Sequence, residues 1–150
     1  MIVCFKRCDE AMLRAARAVA ERLVAAGHEA LFAGGCVRDA WLGRPFKDID
    51  IATSATPDQV EAIFAGHTVA VGKAFGVVLV LRDGYTFDVA TFRTDGDYAD
   101  GRHPDDVHFG TPEDDALRRD FTVNGLFCEP ASEVIRDYVG GVPDLKARVI

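Results

Sequence analysis

The sequence feature that most restricts the fold is the dipeptide Asp83-Gly84, which separates two runs of strand-forming residues. These runs cover residues 75–81 and 85–93 and are rich in Val, Leu, Phe and Thr. Asp-Gly between two such runs is a strong signal for a tight β-hairpin, because the favoured two-residue turn needs positive φ angles. At least one antiparallel strand pair is therefore predicted near the middle of the chain.

Helical and strand-like patterns alternate over the rest of the chain. Apolar residues recur at helical spacing across residues 9–26, with Asp9 placed to cap the first turn and Gly27 placed to follow the last. Further helices are predicted over 36–42, 56–65 and 113–128, further strands over 29–33, 48–53 and 133–137, and a mobile loop over 94–112. Interleaved strands and helices with one clear hairpin predict an α/β (α+β) domain, with a small mixed β-sheet flanked by helices.

Composition and charge are those of one packed domain. The chain has 150 residues, 49% of them hydrophobic, and a net charge of −7 with histidine neutral. No apolar run approaches the roughly 20 residues of a membrane-spanning helix, and the N-terminus lacks the pattern of a signal peptide, so we expect a cytoplasmic protein with no membrane partner. The acidic balance argues against indiscriminate binding to nucleic acid. The four cysteines lack zinc-site spacing and are predicted to be reduced, mostly buried thiols.

Two aspartates, Asp48 and Asp50, alternate with Ile49 and Ile51. Alternate residues of a strand share a face, so both carboxylates are predicted on one side of the sheet, with the isoleucines in the core. Two carboxylates so placed repel each other unless a cation lies between them, and their hard oxygens suit Mg²⁺. A pair of solvated aspartates on an exposed strand face is the alternative.

A third carboxylate, Asp88, interrupts the apolar run that follows the hairpin. The alternation of Phe87 and Val89 places Asp88 on the opposite face of its strand. A charge in this position is costly unless it has a partner, and a metal shared with the other two aspartates would supply one. An edge-strand aspartate that faces water is the alternative.

Two further segments carry groups that suit phosphate. Gly34 and Gly35 join a predicted strand to a predicted helix, so their N–H groups can approach an anion, and Arg38 can add a bidentate contact; a plain tight turn is the alternative. Two arginines precede Asp120, and guanidinium groups recognise phosphate and sugar hydroxyls; Asp120 as a simple helix N-cap is the alternative. Together with three carboxylates, these groups meet the requirements of metal-assisted nucleotidyl transfer.

Taken in their order along the chain, these motifs resemble the head of the class II (bacterial-type) tRNA nucleotidyltransferases, the CCA-adding enzymes. They also resemble the head of the related poly(A) polymerases. These families belong to the DNA polymerase beta-like nucleotidyltransferase superfamily. The resemblance spans residues 30–150 and rests on four segments: Gly-Gly-Cys-Val-Arg-Asp at 34–39, Asp-Ile-Asp-Ile-Ala-Thr at 48–53, the flexible-loop segment at 97–104, and Arg-Arg-Asp-Phe-Thr-Val-Asn at 118–124.

The resemblance implies a role for each matched residue. Asp48 and Asp50 would be the catalytic, metal-binding dyad, and Asp88 would be the third carboxylate at Mg²⁺. The nucleotide would be held by Gly34, Gly35, Arg38, Asp39, Arg119, Asp120 and Asn124. The implied reaction is the addition of C, C and A to the tRNA 3′ end from CTP and ATP, without a nucleic-acid template.

The resemblance also implies that residues 1–150 form a catalytic head, and that the neck, body and tail regions of the family lie outside this chain. Those regions choose the base and grip the tRNA, so we expect the head to bind Mg²⁺ and nucleotide weakly and to need them for accurate addition. Two other functions stay open: the head of a bacterial poly(A) polymerase, and an inactive head that serves as a binding module.

Overall fold

The computed structural model describes residues 1–95 and 107–150, which form a mixed β-sheet with helices against both faces. The strands are β1 (Ala30–Ala33), β2 (Asp50–Thr53), β3 (Thr68–Gly72), β4 (Val77–Arg82), β5 (Tyr85–Thr91), β6 (Arg93–Thr94), β7 (His108–Phe109), β8 (Leu126–Cys128) and β9 (Ile135–Asp137). The α-helices are α1 (Glu10–Ala25), α2 (Gly35–Trp41), α3 (Pro57–Ile63), α4 (Pro112–Leu117) and α5 (Gly141–Ala147). The predicted fold class is confirmed.

Seven strands form the main sheet in the order β3-β4-β5-β2-β1-β8-β9, and β6 pairs with β7 in a separate ribbon. Its neighbouring strands are antiparallel except for β2 and β5, which are parallel. The predicted hairpin joins β4 to β5, and its turn residues Asp83 and Gly84 have φ angles of 50° and 82°. Positive φ at both positions is the requirement that made Asp-Gly informative in the sequence.

Helix α1 begins and ends as its sequence predicts. The Asp9 side chain accepts a hydrogen bond from the backbone N–H of Ala11 at 2.9 Å, which satisfies one of the free donors of the first turn. Gly27, with φ of 90°, follows the helix end. The buried stripe of the helix faces the sheet and consists of Met12, Ala15, Ala16, Val19, Ala20 and Leu23.

The two faces of the main sheet are covered to different extents. On one face the side chains of Phe32, Ile51 and Val89 belong to the larger core, which includes the buried stripe of α1. On the other face Ala33 and Phe127 belong to a smaller core, which includes Ala116 of α4. The smaller core covers only part of its face. The uncovered part of that face carries the exposed residues Asp50 and Asp88, which belong to the site described below.

Several strand boundaries differ from the sequence prediction. Strand β2 begins at Asp50, so Asp48 precedes it. Strand β3 was not predicted, because its residues, such as Val69, are largely exposed and show no inward alternation. The strand predicted over 75–81 begins at Val77, after a 3-10 turn at Lys73–Phe75.

The helix predicted over 113–128 was wrong. The structure divides this segment into α4, a 3-10 turn at Thr122–Asn124 and β8. Helix α4 ends at Leu117, and residues 126–128 are strand instead of helix because they pair with β1 and β9. Gly125 lies just before β8, where a Cβ atom built on it would lie 2.8 Å from Val139.

Other expectations for the second half are corrected in part. Part of the loop predicted over 94–112 is strand, because β6 pairs with β7; the flexible-loop segment 97–104 lies outside the described residues. The C-terminal helix α5 contacts the 3-10 turn at Thr122–Asn124, and Thr122 donates a hydrogen bond to Asp144.

The cysteines are free, as predicted, but only half of them are buried. Cys36 and Cys128 lie in the core, and burial raises the pKa of each thiol to about 12. Cys4 is exposed and Cys8 is half-buried. In the part of the chain that the structure describes, no helix is long and apolar enough to cross a membrane.

The N-cap of α1 provides a test of acid stability. The Tyr85 hydroxyl donates a 2.6 Å hydrogen bond to Asp9, which together with the cap lowers the carboxyl pKa below its usual 3.8. A lowered native pKa stabilises the fold above the unfolded-state value, and this stabilisation is lost as the pH falls through the native value. Asp9→Asn keeps a capping oxygen but removes the titration, so its stability should fall less between about pH 5 and pH 2 than that of the parent.

Urea unfolding at a series of pH values measures this difference. Asp83→Asn, at the exposed hairpin turn, is the matched control and should retain the parental pH dependence. An unchanged acid response in Asp9→Asn would contradict the assignment.

Candidate active site

Asp50 and Asp88 are neighbours on one face of the sheet. Ile51 of β2 pairs with Val89 of β5 in a parallel ladder, so one residue earlier on both strands Asp50 lies beside Asp88. Register partners on adjacent strands share a face, so both side chains lie on the face opposite Ile51 and Val89. Both aspartates are exposed, whereas Ile51 and Val89 are buried.

The charges around Asp50 show that these groups interact. Although the residue is exposed at the surface, partial loss of solvent around its carboxyl raises the pKa of Asp50 above its usual value. The negative charge of Asp88 raises it further, Arg119 opposes the shift, and Asp48 adds a smaller increase. Repulsion between two carboxylates is the condition that a bound cation relieves.

Asp48 lies outside the strand that was predicted to contain it, although its negative charge acts on Asp50. It precedes β2 and is exposed. Within residues 1–95 and 107–150, no three His, Cys, Asp or Glu side chains lie close enough together to form a complete metal site. The adjacent oxygens of Asp50 and Asp88 nevertheless form a donor set that fits a hard divalent cation.

The glycine turn lies next to this pair. Ala33, the last residue of β1, pairs with Asp50, and the chain then turns at Gly34 with a φ of 73° and a ψ of −132°. A Cβ atom at Gly34 would lie 3.1 Å from the guanidinium of Arg119. The positive φ favours glycine, and the Arg119 guanidinium would have to move by a few tenths of an ångström to admit a larger residue. Gly35 then begins α2.

Arg38 is held by two polar partners at the edge of the glycine turn. Its guanidinium donates to both carboxylate oxygens of Asp39, at 3.0 and 3.2 Å, and to the side-chain oxygen of Asn124 at 2.7 Å. These bonds fix the direction of the guanidinium, so Asp39 and Asn124 serve to orient Arg38.

Arg119 connects the glycine turn to the smaller core. It donates to the backbone oxygen of Asn124 at 3.1 Å, and its guanidinium lies over the ring of Phe127, 5.3 Å from the centroid. Its charge also lowers the pKa of Asp50. These contacts link Gly34, Gly35, Arg38, Asp39, Arg119 and Asn124 in one cluster, and the charge of Arg119 connects that cluster to Asp50. Asp120 is exposed and precedes the 3-10 turn, whose N-cap is Phe121.

Asp115 is the functional candidate that the sequence analysis missed. Only 2% of this residue is exposed. One carboxylate oxygen accepts from the Arg93 backbone N–H at 3.0 Å and from Arg118 at 2.9 Å, and the other accepts from Arg119 at 2.9 Å. The spacing of Asp115 from Arg118 and Arg119, three and four residues, was a readable signal of this contact.

Comparisons with known proteins agree with this geometry. A family model described as the poly A polymerase head domain matches residues 30–150. The CCA-adding enzyme of Bacillus pumilus is 50% identical over 125 residues, which cover 83% of this chain and 31% of that protein. The Bacillus stearothermophilus CCA-adding enzyme in complex with CTP superposes with a TM-score of 0.79 at 39% identity, over 91% of this chain and 32% of that one.

A further solved structure, the Thermotoga maritima CCA-adding enzyme complexed with tRNA-CCA, has a TM-score of 0.69 at 26% identity. The alignment covers 94% of this chain and 32% of that one. The chain therefore spans about a third of the length of the relatives that it matches.

Replacing Asp115 tests whether it holds the two arginines. Asp115→Asn keeps the size of the side chain but leaves one acceptor oxygen where three donors converge, and it removes the charge that compensates them. We expect the free energy of unfolding to fall by about 3 kcal/mol. Urea unfolding measures the change, and Glu113→Gln, on the exposed side of the same helix, should have almost no effect. Equal stability of Asp115→Asn and the parent would show that the arginines do not depend on this carboxylate.

Proposed function

Because the chain belongs to the poly A polymerase head domain family, we propose that it is the catalytic head of a tRNA nucleotidyltransferase that adds C, C and A to tRNA 3′ ends from CTP and ATP. The observation that carries this proposal is the Asp50–Asp88 pair beside the turn at Gly34. The CCA-adding relatives support tRNA as the acceptor.

In this proposal Asp50 and Asp88 hold Mg²⁺, and Asp48 joins them from the segment that precedes β2. The cation, when bound, would stabilise the charge that develops on the transferred phosphate. The tRNA 3′-hydroxyl attacks the α-phosphate of the nucleotide, and pyrophosphate leaves. Asp88 is placed either to accept the hydroxyl proton or to serve only as a metal ligand.

The groups around the glycine turn bind and orient the nucleotide. The N–H group of Gly34 donates to the Leu126 backbone oxygen at 3.0 Å, so Gly34 contributes the turn and not a free donor. The N–H group of Gly35 and the guanidinium of Arg38 would bind the triphosphate, and Asp39 keeps Arg38 in place. Arg119 and Asp120 would hold the ribose. Asn124 lies between Arg38 and Arg119 and accepts a hydrogen bond from each. Positioning of this kind supplies a large part of the rate in phosphoryl and nucleotidyl transfer.

Base choice and the grip on tRNA are proposed to depend on regions beyond the length that this chain shares with its relatives. Action on tRNA also supports the cytoplasmic location predicted from the sequence. A bacterial poly(A) polymerase head is the second candidate, since the matching family model is named for that activity. Incorporation of ATP alone, with no incorporation of CTP, into a tRNA that ends before CCA would favour the second candidate.

Conservative substitutions of the two adjacent carboxylates test the proposal. Asp50→Asn and Asp88→Asn keep the size of each side chain and remove the charge that holds the cation. Each should lower the incorporation of labelled CTP into tRNA lacking CCA by at least about a hundredfold. Asp83→Asn, at the exposed hairpin turn, should incorporate CTP as the parent does. Unchanged incorporation by Asp50→Asn would instead support an inactive head that acts as a binding module.

A further inference from the structure

The two aspartates lie in the middle of a row of side chains that crosses the sheet. Asp50 pairs with Ala33 on one side, and Ala33 pairs with Phe127. On the other side Asp88 pairs with Leu79 of β4, and Leu79 pairs with Val69 of β3. Register partners share a face, so all six side chains of this row lie on the same side of the sheet.

The two halves of the row differ in exposure. Ala33 and Phe127 are 2% and 0% exposed, because the smaller core and Arg119 cover them. Leu79 is half-buried, and Val69 is 46% exposed. Leu81, two residues beyond Leu79 on the same face, is 42% exposed. The aspartates therefore mark the boundary between a covered half and an open, apolar half of one sheet face.

In-line nucleotidyl transfer places the nucleotide on the covered half of this sheet face and the acceptor RNA on the open half. In nucleotidyl transfer the attacking and leaving oxygens lie roughly in line on opposite sides of the phosphate. The proposed triphosphate groups, Gly34 and Arg38, are on the covered side, where β1 leads into α2. The attacking hydroxyl then approaches from the opposite side, across β5 and over β4.

Resting on the proposed function, we infer that Val69, Leu79 and Leu81 form the surface that receives the terminal nucleoside of the acceptor RNA. We name these three side chains the acceptor platform. They are uncharged and apolar, so they suit the sugar and base of a nucleotide rather than its charged phosphate. Contact between bases and apolar side chains tolerates any sequence, as a single-stranded 3′ end requires.

Methyl and amide NMR of this chain separates the two halves. Titration with a short single-stranded RNA that carries a free 3′-hydroxyl should shift the methyl signals of Val69, Leu79 and Leu81. Titration with CTP and Mg²⁺ should shift the amides of Gly34 and Arg119 and leave the platform methyls unchanged. Shifts of the platform methyl signals on addition of RNA support the inference. If CTP and Mg²⁺ shift no signal, that result contradicts the proposed function but leaves the acceptor platform supported.

The inference is overturned if CTP shifts the glycine turn while RNA leaves the platform methyls in place. It is also overturned if those methyls respond only to an increase in protein concentration, because the platform would then be covered by a second copy of the chain.

Exposed-residue variants give an independent readout. Val69→Thr and Leu81→Thr keep strand-compatible side chains, and each should weaken RNA binding about fourfold for the apolar contact that it removes. CTP binding should stay at the parental value, and the amide spectrum reports whether the fold is kept. Val24→Thr, at a 57% exposed position on α1, is the matched control and should bind RNA as the parent does. Parental RNA affinity in both platform variants would refute the assignment.

Discussion

The parallel pairing of β2 with β5 is the constraint on which the rest of the site depends. It is the one parallel pair of the main sheet, and its register places Asp50 beside Asp88. The same register sends Ile51 and Val89 into the larger core, where both are almost fully buried. A shift of one residue would bury two carboxylates and expose two apolar side chains, so the energy of the core holds the carboxylates together despite their repulsion.

A second constraint holds the cationic side of the site. Asp115 is buried in the smaller core and binds Arg118 and Arg119 as well as the backbone of Arg93. The guanidinium of Arg119 lies against the turn at Gly34, and its charge acts on Asp50. Asp115 therefore holds the guanidinium of Arg119 in this position. A fixed positive group next to two carboxylates suits the proposed substrate, a nucleotide that carries phosphate and a bound metal ion.

The sequence predicts best where local chemistry decides the structure. The Asp83-Gly84 turn, the cap at Asp9 and the inward alternation of Ile49 and Ile51 are short-range features, and the structure has all three. Predictions were wrong where distant contacts decide: the end of the segment 113–128, expected to be helix, is a strand that pairs with β1 and β9. The neighbourhood of Asp50 and Asp88 depends on pairing between strands far apart in the chain, which spacing alone does not determine, and the roles assigned to these residues stay predictions.

We propose that Asp50 and Asp88 together hold a divalent cation beside the glycine turn. Paramagnetic broadening by Mn²⁺ tests this site, because the amide signals nearest the bound ion disappear first. We expect the signals of Asp50, Asp88 and Gly34 to broaden at the lowest Mn²⁺ concentration and to recover when Mg²⁺ is added in excess. Broadening that begins instead at the acidic first turn of α4, with Asp50 and Asp88 unaffected, would contradict it.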